Sequence, residues 1–574
     1  MTTLPGSVPP RPDRPPAWQA AVLLGVTLLA YAPVLDAGFV WNDDDLDDIL
    51  ALVDREGLAT VWFSTETFNY WPVTWTSYWL EHEVFGDDPA TGRPRPTSYH
   101  IVNVLIHATC SLLLWRVLVR LGVPGAWLAG LIFAVHPVNV ESVAWVTQRK
   151  NVLAMVFFLA SLRWWLDFQQ FGGRPRYTAA VIAFLLGMLS KGAIVACPLV
   201  LLLLAWWRWG RITRQNVLQV LPFLVISGVM SVAEIWFQHV KAIGGDTIRD
   251  AGLAERLMAI GPIAWFYLGK ALLPLNLCFV YPRWQFDVSS IVEWLPAVAG
   301  VVILGSAWAT RRSLTRAPLT AILYYLLCLG PIVGLVDIYF FKYSLVADHY
   351  QYVALPGVIA LVIGTGTHLA RRYGIDGTPA RIVSAGLVVV LSGLTWQQSA
   401  NYQSPQRLWL TTLQQNPGCW MAHNQLGNLV TSTRQLDGAR EHYRAALKLI
   451  ERQLGPEHVE AARVHHNLGV LLGQASRQAT DTELVTAAVE HLETACRLAP
   501  DRGDYLVSLA GVRQEQGDQE QAIGELQRFI QRHPGASKRT WQTLAGLLRE
   551  QGRPIEAAEA LRRGRAVDPR RQER

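Results

Sequence analysis

Charge is scarce in this chain, and cysteine scarcer still. Only 17% of the 574 residues are Asp, Glu, Lys or Arg, and six are Cys. Four of the six, Cys110, Cys197, Cys278 and Cys328, lie in apolar runs as small hydrophobes. Cys419 and Cys496 lie in the more polar remainder, where a disulfide between them is the one pairing open. No CxxC or HExxH spacing occurs, which excludes the usual zinc signatures. No long basic helix or interleaved basic-aromatic motif occurs either. The net charge of +6 comes mostly from Arg in short loops, a topology signal that speaks against nucleic-acid binding. The first apolar run, Trp18 to Leu35, lacks a small-x-small cleavage site and is too long for a signal h-region, so it reads as a retained span.

What the chain has is apolar runs. Hydrophobic residues make up 51%, and many of the 23 Trp sit near the ends of these runs, where membrane-interface aromatics collect. Placing spans by apolar length and orienting them by flanking Arg gives about eleven. They begin at Trp18–Leu35 and His100–Val119 and end at Ile382–Trp396. Arg11 and Arg14 set the amino terminus, residues 1–16, in the cytoplasm. The membrane part is then 17–398, with a large outside loop at 36–98, and the carboxyl-terminal part 399–574 lies outside. Gly261-Pro262 and Pro274 break the run 258–280, and Arg311, Arg312 and Arg316 beyond it would fall outside if it crossed once. A re-entrant or interfacial pair of short helices is therefore expected there.

After Gln397 the period changes to that of the tetratricopeptide repeat (TPR): a Leu-Gly or Leu-Ala pair, a small residue about 12 positions on, then Pro. Leu509-Ala510, Gly517, Ala522 and Pro534 fit, as do Leu544-Ala545, Gly552, Ala557 and Pro569. Leu468-Gly469, Ala488, Ala495 and Pro500 fit with an insertion near 474–483, and Leu426-Gly427, Ala439, Tyr443 and Ala446 fit with a longer tail to Pro456. The expected fold is all-α: a polytopic helical bundle followed by a soluble α-solenoid of about four repeats.

Polar residues in such a chain need a reason. Trp41-Asn42-Asp43-Asp44-Asp45-Leu46-Asp47-Asp48 places five Asp within six residues, just past the first span. Crowded carboxylates raise one another's pKa, which suits a general base, and the cluster equally suits a divalent cation. Asp43 and Asp44 are the first candidates. The aromatic run from Tyr70 to Trp79 reads mainly as interface anchoring. His100, Asn103 and His107 share one face of the second span, where polar groups face protein or a cavity. His136 and Glu141 flank the next outside turn. Arg149, Lys150, Lys191 and Arg283 sit on the outer side against the positive-inside trend, joined by Lys342, Asp348 and His349. Cations there suit an anionic lipid phosphate.

In order along the chain, Gly38-Phe39-Val40-Trp41-Asn42-Asp43-Asp44, Tyr70-Trp71-Pro72-Val73-Thr74, Tyr99-His100 through His107, His136-Pro137-Val138-Asn139-Val140-Glu141, Leu189-Ser190-Lys191 and Ala347-Asp348-His349-Tyr350 resemble the motifs of the transmembrane-and-TPR O-mannosyltransferase family. The resemblance implies a GT-C-type fold and a polyprenyl-phosphate-linked, mannose-like sugar as donor. It also implies transfer to Ser or Thr at the outer face, with Asp43 and Asp44 at the reaction centre. This chain departs from the family pattern at Trp71 and His349, where the family has Arg, and at Gly192, where it has Glu. The expected partners are membrane lipids, the lipid-linked sugar and acceptor polypeptides held by the repeats, with no nucleic acid. The expected site is a bacterial inner membrane with the repeats on the periplasmic side. The competing reading is a non-catalytic membrane scaffold, with a transporter a weaker third because acids at mid-span are few.

Overall fold

The computed structural model describes residues 16–566 apart from 90, 245–247, 314, 433–435 and 480–481, and leaves the side chains of 44, 432, 478 and 479 undescribed. Arg11, Arg14 and Pro569 therefore lie outside the described residues. Helix accounts for 78% of the structure, and no strand occurs among the described residues. The chain divides into two compact units, Met1–Leu408 and Trp409–Arg574.

In the first unit, α1 (Ala17–Ala30) ends short of a membrane thickness, and a 3-10 turn over Ala32–Val34 follows. Fourteen helical residues rise only about 21 Å. The outside loop is itself folded: a 3-10 turn at Trp41–Asp44 leads into α2 (Asp45–Glu56), α3 (Ala59–Phe63) and α4 (Pro72–Phe85). Their apolar faces close on one another. Leu46, Ile49, Leu50 and Val53 of α2 meet Val61, Trp71, Trp75 and Tyr78. Trp71, Trp75 and Tyr78 are thus core residues of this small layer rather than membrane-interface anchors. Each such buried ring contributes about 2–3 kcal/mol.

The bundle follows: α5 (Pro96–Leu121), α6 (Ala126–Ala134), α7 (Val140–Ala144), α8 (Arg149–Phe171), α9 (Arg174–Met188), α10 (Cys197–Trp209), α11 (Arg214–Phe237), α12 (Leu253–Leu272), α13 (Ile291–Thr310), α14 (Ala317–Leu329), α15 (Leu355–Arg372) and α16 (Thr378–Ala400). Against the expected eleven or so spans, six stretches among the described residues are long and apolar enough to cross a membrane: 96–121, 146–171, 192–209, 214–243, 291–310 and 378–400. A seventh arises if Ala126–Ala134 and Pro137–Ala144, bent by 48° at His136-Pro137, count as one. The other apolar runs fold as shorter or more polar helices, α1, α9, α14 and α15. The stretch expected as two short helices forms one, α12, running through Gly261-Pro262. Gly261 lets α13 pack closely against it, because a Cβ there would lie 2.5 Å from the backbone of Ala297.

After α17 (Pro405–Gln415), the second unit is four helical hairpins: α18 (Trp420–Ser432) with α19 (Leu436–Leu454), α20 (Val459–Ala479) with α21 (Thr482–Leu498), α22 (Gly503–Gln516) with α23 (Gln519–Arg532), and α24 (Lys538–Glu550) with α25 (Pro554–Ala566). The small residues read from the sequence are the contact points. Ala439, Ala446, Ala488, Ala495, Ala522 and Ala557 are buried, and a Cβ on Gly427 or Gly469 would collide with Tyr443 or Leu492 at 2.6 Å. The insertion near 474–483 lengthens the α20–α21 hairpin. Cys419 and Cys496 are free thiols.

Two hairpins each hold a histidine pair, His423 with His442 (Nδ1 to Nδ1 3.1 Å) and His465 with His491 (2.9 Å). Burial keeps all four below the ordinary histidine value, His465 at about 4. Arg497 beside His465 adds to the effect, as do Arg444 and Arg440 near His491, while Glu490 and Glu441 oppose it. The unfolded chain takes up protons here at about pH 6.5 that the folded chain refuses. Stability is therefore present above that pH and is lost on acidification. Hydrogen exchange of the full chain, corrected for intrinsic rates, should show α18–α21 losing protection between pH 7 and 5. Helices α24 and α25, which contain no His, should keep theirs, and uniform behaviour would refute the assignment.

Candidate active site

The five-Asp run resolves into two functions. Asp45, Asp47 and Asp48 form the first turn of α2, where carboxylates favour the positive end of the helix. Asp45 also accepts from Asn42 Nδ2 (2.9 Å), and Asp47 pairs with Arg93. Among the described side chains of the run, Asp43 alone turns inward; it is 1% exposed. Its Oδ2 accepts from Val40 N (2.9 Å) and its Oδ1 from Thr147 N (2.8 Å), at the head of α8. Burial raises its pKa to about 7 against the pull of these two N–H groups, the Thr147 hydroxyl and nearby Lys150. Desolvation, not crowding by the other aspartates, lifts it. Trp41, two residues earlier, holds a left-handed backbone (φ 50°), a conformation costing about 1–2 kcal/mol for an L-residue. Its ring is packed among Trp145, Phe279, Phe340 and Tyr343, which supplies the compensation. Asp44 closes the same 3-10 turn; its side chain lies outside the described residues.

Around Asp43 the structure gathers several residues marked in the sequence. Lys150 lies over the rings of Trp71 (4.5 Å) and Trp145 (5.7 Å). Lys191 donates to Asn151 Oδ1 (2.7 Å), and Asn151 Nδ2 donates in turn to the carbonyl of His349 (3.2 Å). Glu141 accepts from His349 N (2.9 Å) and lies 2.9 Å from His349 Nδ1. Asp348 accepts from the Tyr281 hydroxyl (2.9 Å). Burial, then repulsion from Lys150, lowers Lys191 to about 7, opposed by Glu234 and Glu141. Burial and the same two lysines hold His349 well below its usual value, so its ring is neutral.

Other marked residues serve the scaffold. Arg149 is completely buried and pairs with Glu81 (2.5 Å), donates to Asn103 Oδ1 (2.7 Å) and the Tyr99 carbonyl (3.1 Å), and lies over the Tyr78 ring (4.5 Å). Its charge is fully used there, which removes it from the expected phosphate ligands. His107 bonds Tyr352 (2.6 Å) and the Ala134 carbonyl (3.0 Å), His136 bonds the Ala271 carbonyl (3.0 Å), and His100 is buried beside the backbone of Ala37 and Gly38. His107 and His136 tie helices together, and His100 packs α5 against the loop after α1. Arg283 donates to the Lys342 carbonyl (2.9 Å), and Lys342 lies over Tyr339 (4.0 Å). Among the described residues no three His, Cys, Asp or Glu side chains converge as metal ligands would.

Sequence reasoning missed Glu81, Thr147 and the role of Glu234. Glu234 accepts from Trp71 Nε1 (3.1 Å), and a Cβ on Gly192 would sit 3.5 Å from its carboxylate. It thus occupies the space left open at Gly192 and places a carboxylate near Lys191. Its signal was visible as a lone acid near the end of an apolar helix.

These features define a helical membrane protein with a buried acid-and-lysine site and a helical-repeat unit. Residues 419–501 match the tetratricopeptide repeat family. The chain is 23% identical over 456 residues to protein O-mannosyl-transferase F38B6.6 of Caenorhabditis elegans, covering 75% of this chain and 62% of that protein. It is 26% identical over 215 residues to protein O-mannosyl-transferase TMTC4 of Mus musculus, covering 32% and 28%. It is 42% identical over 96 residues to TMTC2 of the same species, covering 16% and 11%. The chain thus spans less than two thirds of the length of each of these relatives. Together with the repeat match, they support its place with the transmembrane-and-TPR O-mannosyltransferase family.

The Glu81–Arg149 pair sets a stability test. Glu81→Gln leaves a buried guanidinium without its counter-charge and should cost about 3–5 kcal/mol. Arg93→Ala at the exposed Asp47 pair should cost under about 1 kcal/mol. Thermal unfolding of the detergent-solubilised protein compares the two; equal losses would contradict the keystone role of Arg149.

Proposed function

We propose that this protein transfers a mannose-like sugar from a polyprenyl-phosphate carrier to Ser or Thr hydroxyls of proteins at the outer face of a bacterial inner membrane. The repeat unit would hold the acceptor polypeptide. The observation that carries this reading is Asp43: a buried carboxylate, fixed by two backbone N–H groups, poised near neutrality and facing the field of buried Lys150. In the proposed step the acceptor hydroxyl oxygen bonds the anomeric carbon as the bond from that carbon to the phosphate oxygen breaks. The hydroxyl proton passes to Asp43, and the phosphate leaves with the electron pair. Lys150 and Lys191 stabilise the charge that develops on it, from fixed positions in a water-poor site. Glu141 and Asn151 hold the His349 segment and Lys191 in place. The relatives' names support protein O-mannosylation as the general activity.

Membranes carrying the wild type or Asp43→Asn, supplied with radiolabelled polyprenyl-phosphate mannose, test the reading by label entering protein. Asp43→Asn should lower transfer about a hundredfold or more; undiminished transfer would overturn the assignment. A base with a pKa of about 7 must be ionised to act. Transfer should therefore fall about tenfold per pH unit below 7, and it should fall again above 7 as Lys191, also held near 7, loses its charge. A flat profile between pH 5.5 and 7 would exclude Asp43 as the base. The scaffold reading predicts no transfer from any lipid-linked sugar.

A further inference from the structure

Between Asp167 and Glu234 the chain contains no acidic residue, yet Arg174, Arg176, Arg208, Arg211 and Arg214 all fall within that stretch. Asp167 itself is taken by Arg120 and Arg163. Arg174, at the start of α9, lines a cavity of about 390 Å³ together with Phe168, Tyr177, Gln215, Leu218 and Gln219. The cavity lies where the end of α8 meets the first turns of α9 and α11. Helix α8 begins at Arg149, beside the acid-and-lysine site, and its rise from there to Phe168 is about 28 Å. The hydrocarbon core of a bilayer is about 30 Å thick, so the two sites belong to opposite membrane faces.

The polar groups of the cavity are committed only in part. Gln169 Nε2 donates to Gln219 Oε1 (2.9 Å), and the Tyr177 hydroxyl donates to the Gln219 carbonyl (2.8 Å). That leaves the Gln219 amide hydrogens as donors and the Tyr177 oxygen as an acceptor. Arg176 is engaged with the Gly172 carbonyl (3.0 Å), whereas Arg174 forms no ion pair among the described residues. From Leu218 an apolar stripe runs along α11 through Leu221, Val225, Val229 and Val232, each between 49% and 71% exposed. These positions fall within about 80° of one another around the helix and extend for about 21 Å. Helix α11 belongs to a stretch long and apolar enough to cross a membrane, 214–243. An exposed stripe on such a helix faces lipid chains, and its length exceeds the roughly 15 Å of hydrocarbon in one leaflet.

We propose that this cavity binds an anionic phospholipid with hydroxyls on its headgroup, drawn from the leaflet opposite the acid-and-lysine site, with an acyl chain lying along the α11 stripe. A guanidinium without a carboxylate partner pairs bidentately with phosphate oxygens. The two glutamine amides and the Tyr177 oxygen match headgroup hydroxyls, which both donate and accept. A zwitterionic lipid brings a second, positive charge to a wall that has no acid to receive it, so charge selects against it. The volume suits one small headgroup.

The test titrates the full chain in nonionic detergent with dioleoyl phosphatidylglycerol and reads retained lipid by native mass spectrometry. One lipid should be retained at about a tenth of the concentration that dioleoyl phosphatidylcholine requires. Arg174→Gln should raise that concentration about tenfold and Gln215→Ala severalfold. Arg372→Gln, at the exposed end of α15, should leave it unchanged. Without lipid, Arg174→Gln should unfold thermally at the same midpoint as the wild type, which separates lost binding from lost folding. Inorganic phosphate in large excess should not displace the lipid, because it lacks the chain that holds to α11. Displacement by phosphate would reassign the cavity to a soluble anion and overturn the proposal. Equal retention of the two lipids, undiminished retention by Arg174→Gln, or loss on Lys191→Gln in place of Arg174→Gln would each overturn it as well.

Discussion

The contact on which the membrane unit depends is the buried ion pair of Arg149 and Glu81. A guanidinium with no exposure is tolerable only with close partners, and here two helices supply them: Glu81 and the Tyr78 ring from α4, and Asn103 and the Tyr99 carbonyl from α5. The pair fixes the folded outside loop against the head of α8. That same helix head presents Thr147, whose N–H holds Asp43, and Lys150, whose ammonium lies between Trp71 and Trp145. A charge hidden for structural reasons thereby sets the distance between an acid and a cation that stay available for chemistry.

A second constraint follows from charge balance in the same pocket. Lys150 and Lys191 repel each other where little water is present to screen them. Glu141 and Glu234 offset that repulsion, one from the bent α6–α7 segment and the other from α11. The resemblance implies a glutamate beside the lysine and an arginine at the Trp71 position. Here Gly192 leaves room, Glu234 reaches in from another helix, and Trp71 donates an indole N–H where an arginine would have donated a charge. Gly192, Glu234 and Trp71, far apart in the sequence, thus meet at one place in the fold.

Those particulars also show what a linear reading reaches. The repeats were legible because the small residues at fixed offsets are the places where helices touch, as Gly427 on Tyr443 and Gly469 on Leu492 demonstrate. Asp43 was legible as one of five acids, but its distinction from Asp45, Asp47 and Asp48 was not, since that depends on which side chain turns inward and which cap a helix. Arg149 and Lys150 look alike as adjacent outer-face cations. A helix sends neighbours about 100° apart, so one meets Glu81 and the other the aromatic pocket. The aromatic run misled for a similar reason: Trp at the end of an apolar segment signals an interface only if no folded loop lies above to bury it. Fewer of the apolar runs form single long helices than their lengths suggested, because turns cut them, as at Ala30 and His136-Pro137.

The balance of charges bears on how the proposed reaction would be driven. A sugar linked through a phosphodiester carries one negative charge, and the departing lipid phosphate carries more. A lysine already fully charged would bind both states and favour the donor as well as the transition state. Lys191, held near 7 by burial and by Lys150, is only partly charged in the resting site at neutral pH. Each increment of charge on the phosphate raises its proton affinity, so its attraction grows as the bond breaks. Asp43 sits at a similar pKa and, in the proposed step, would take the hydroxyl proton at the same time. In the proposed reaction, an acid and a lysine both held near neutrality would move the site's charge in the direction the chemistry needs, and burial would then be the source of reactivity rather than only a cost.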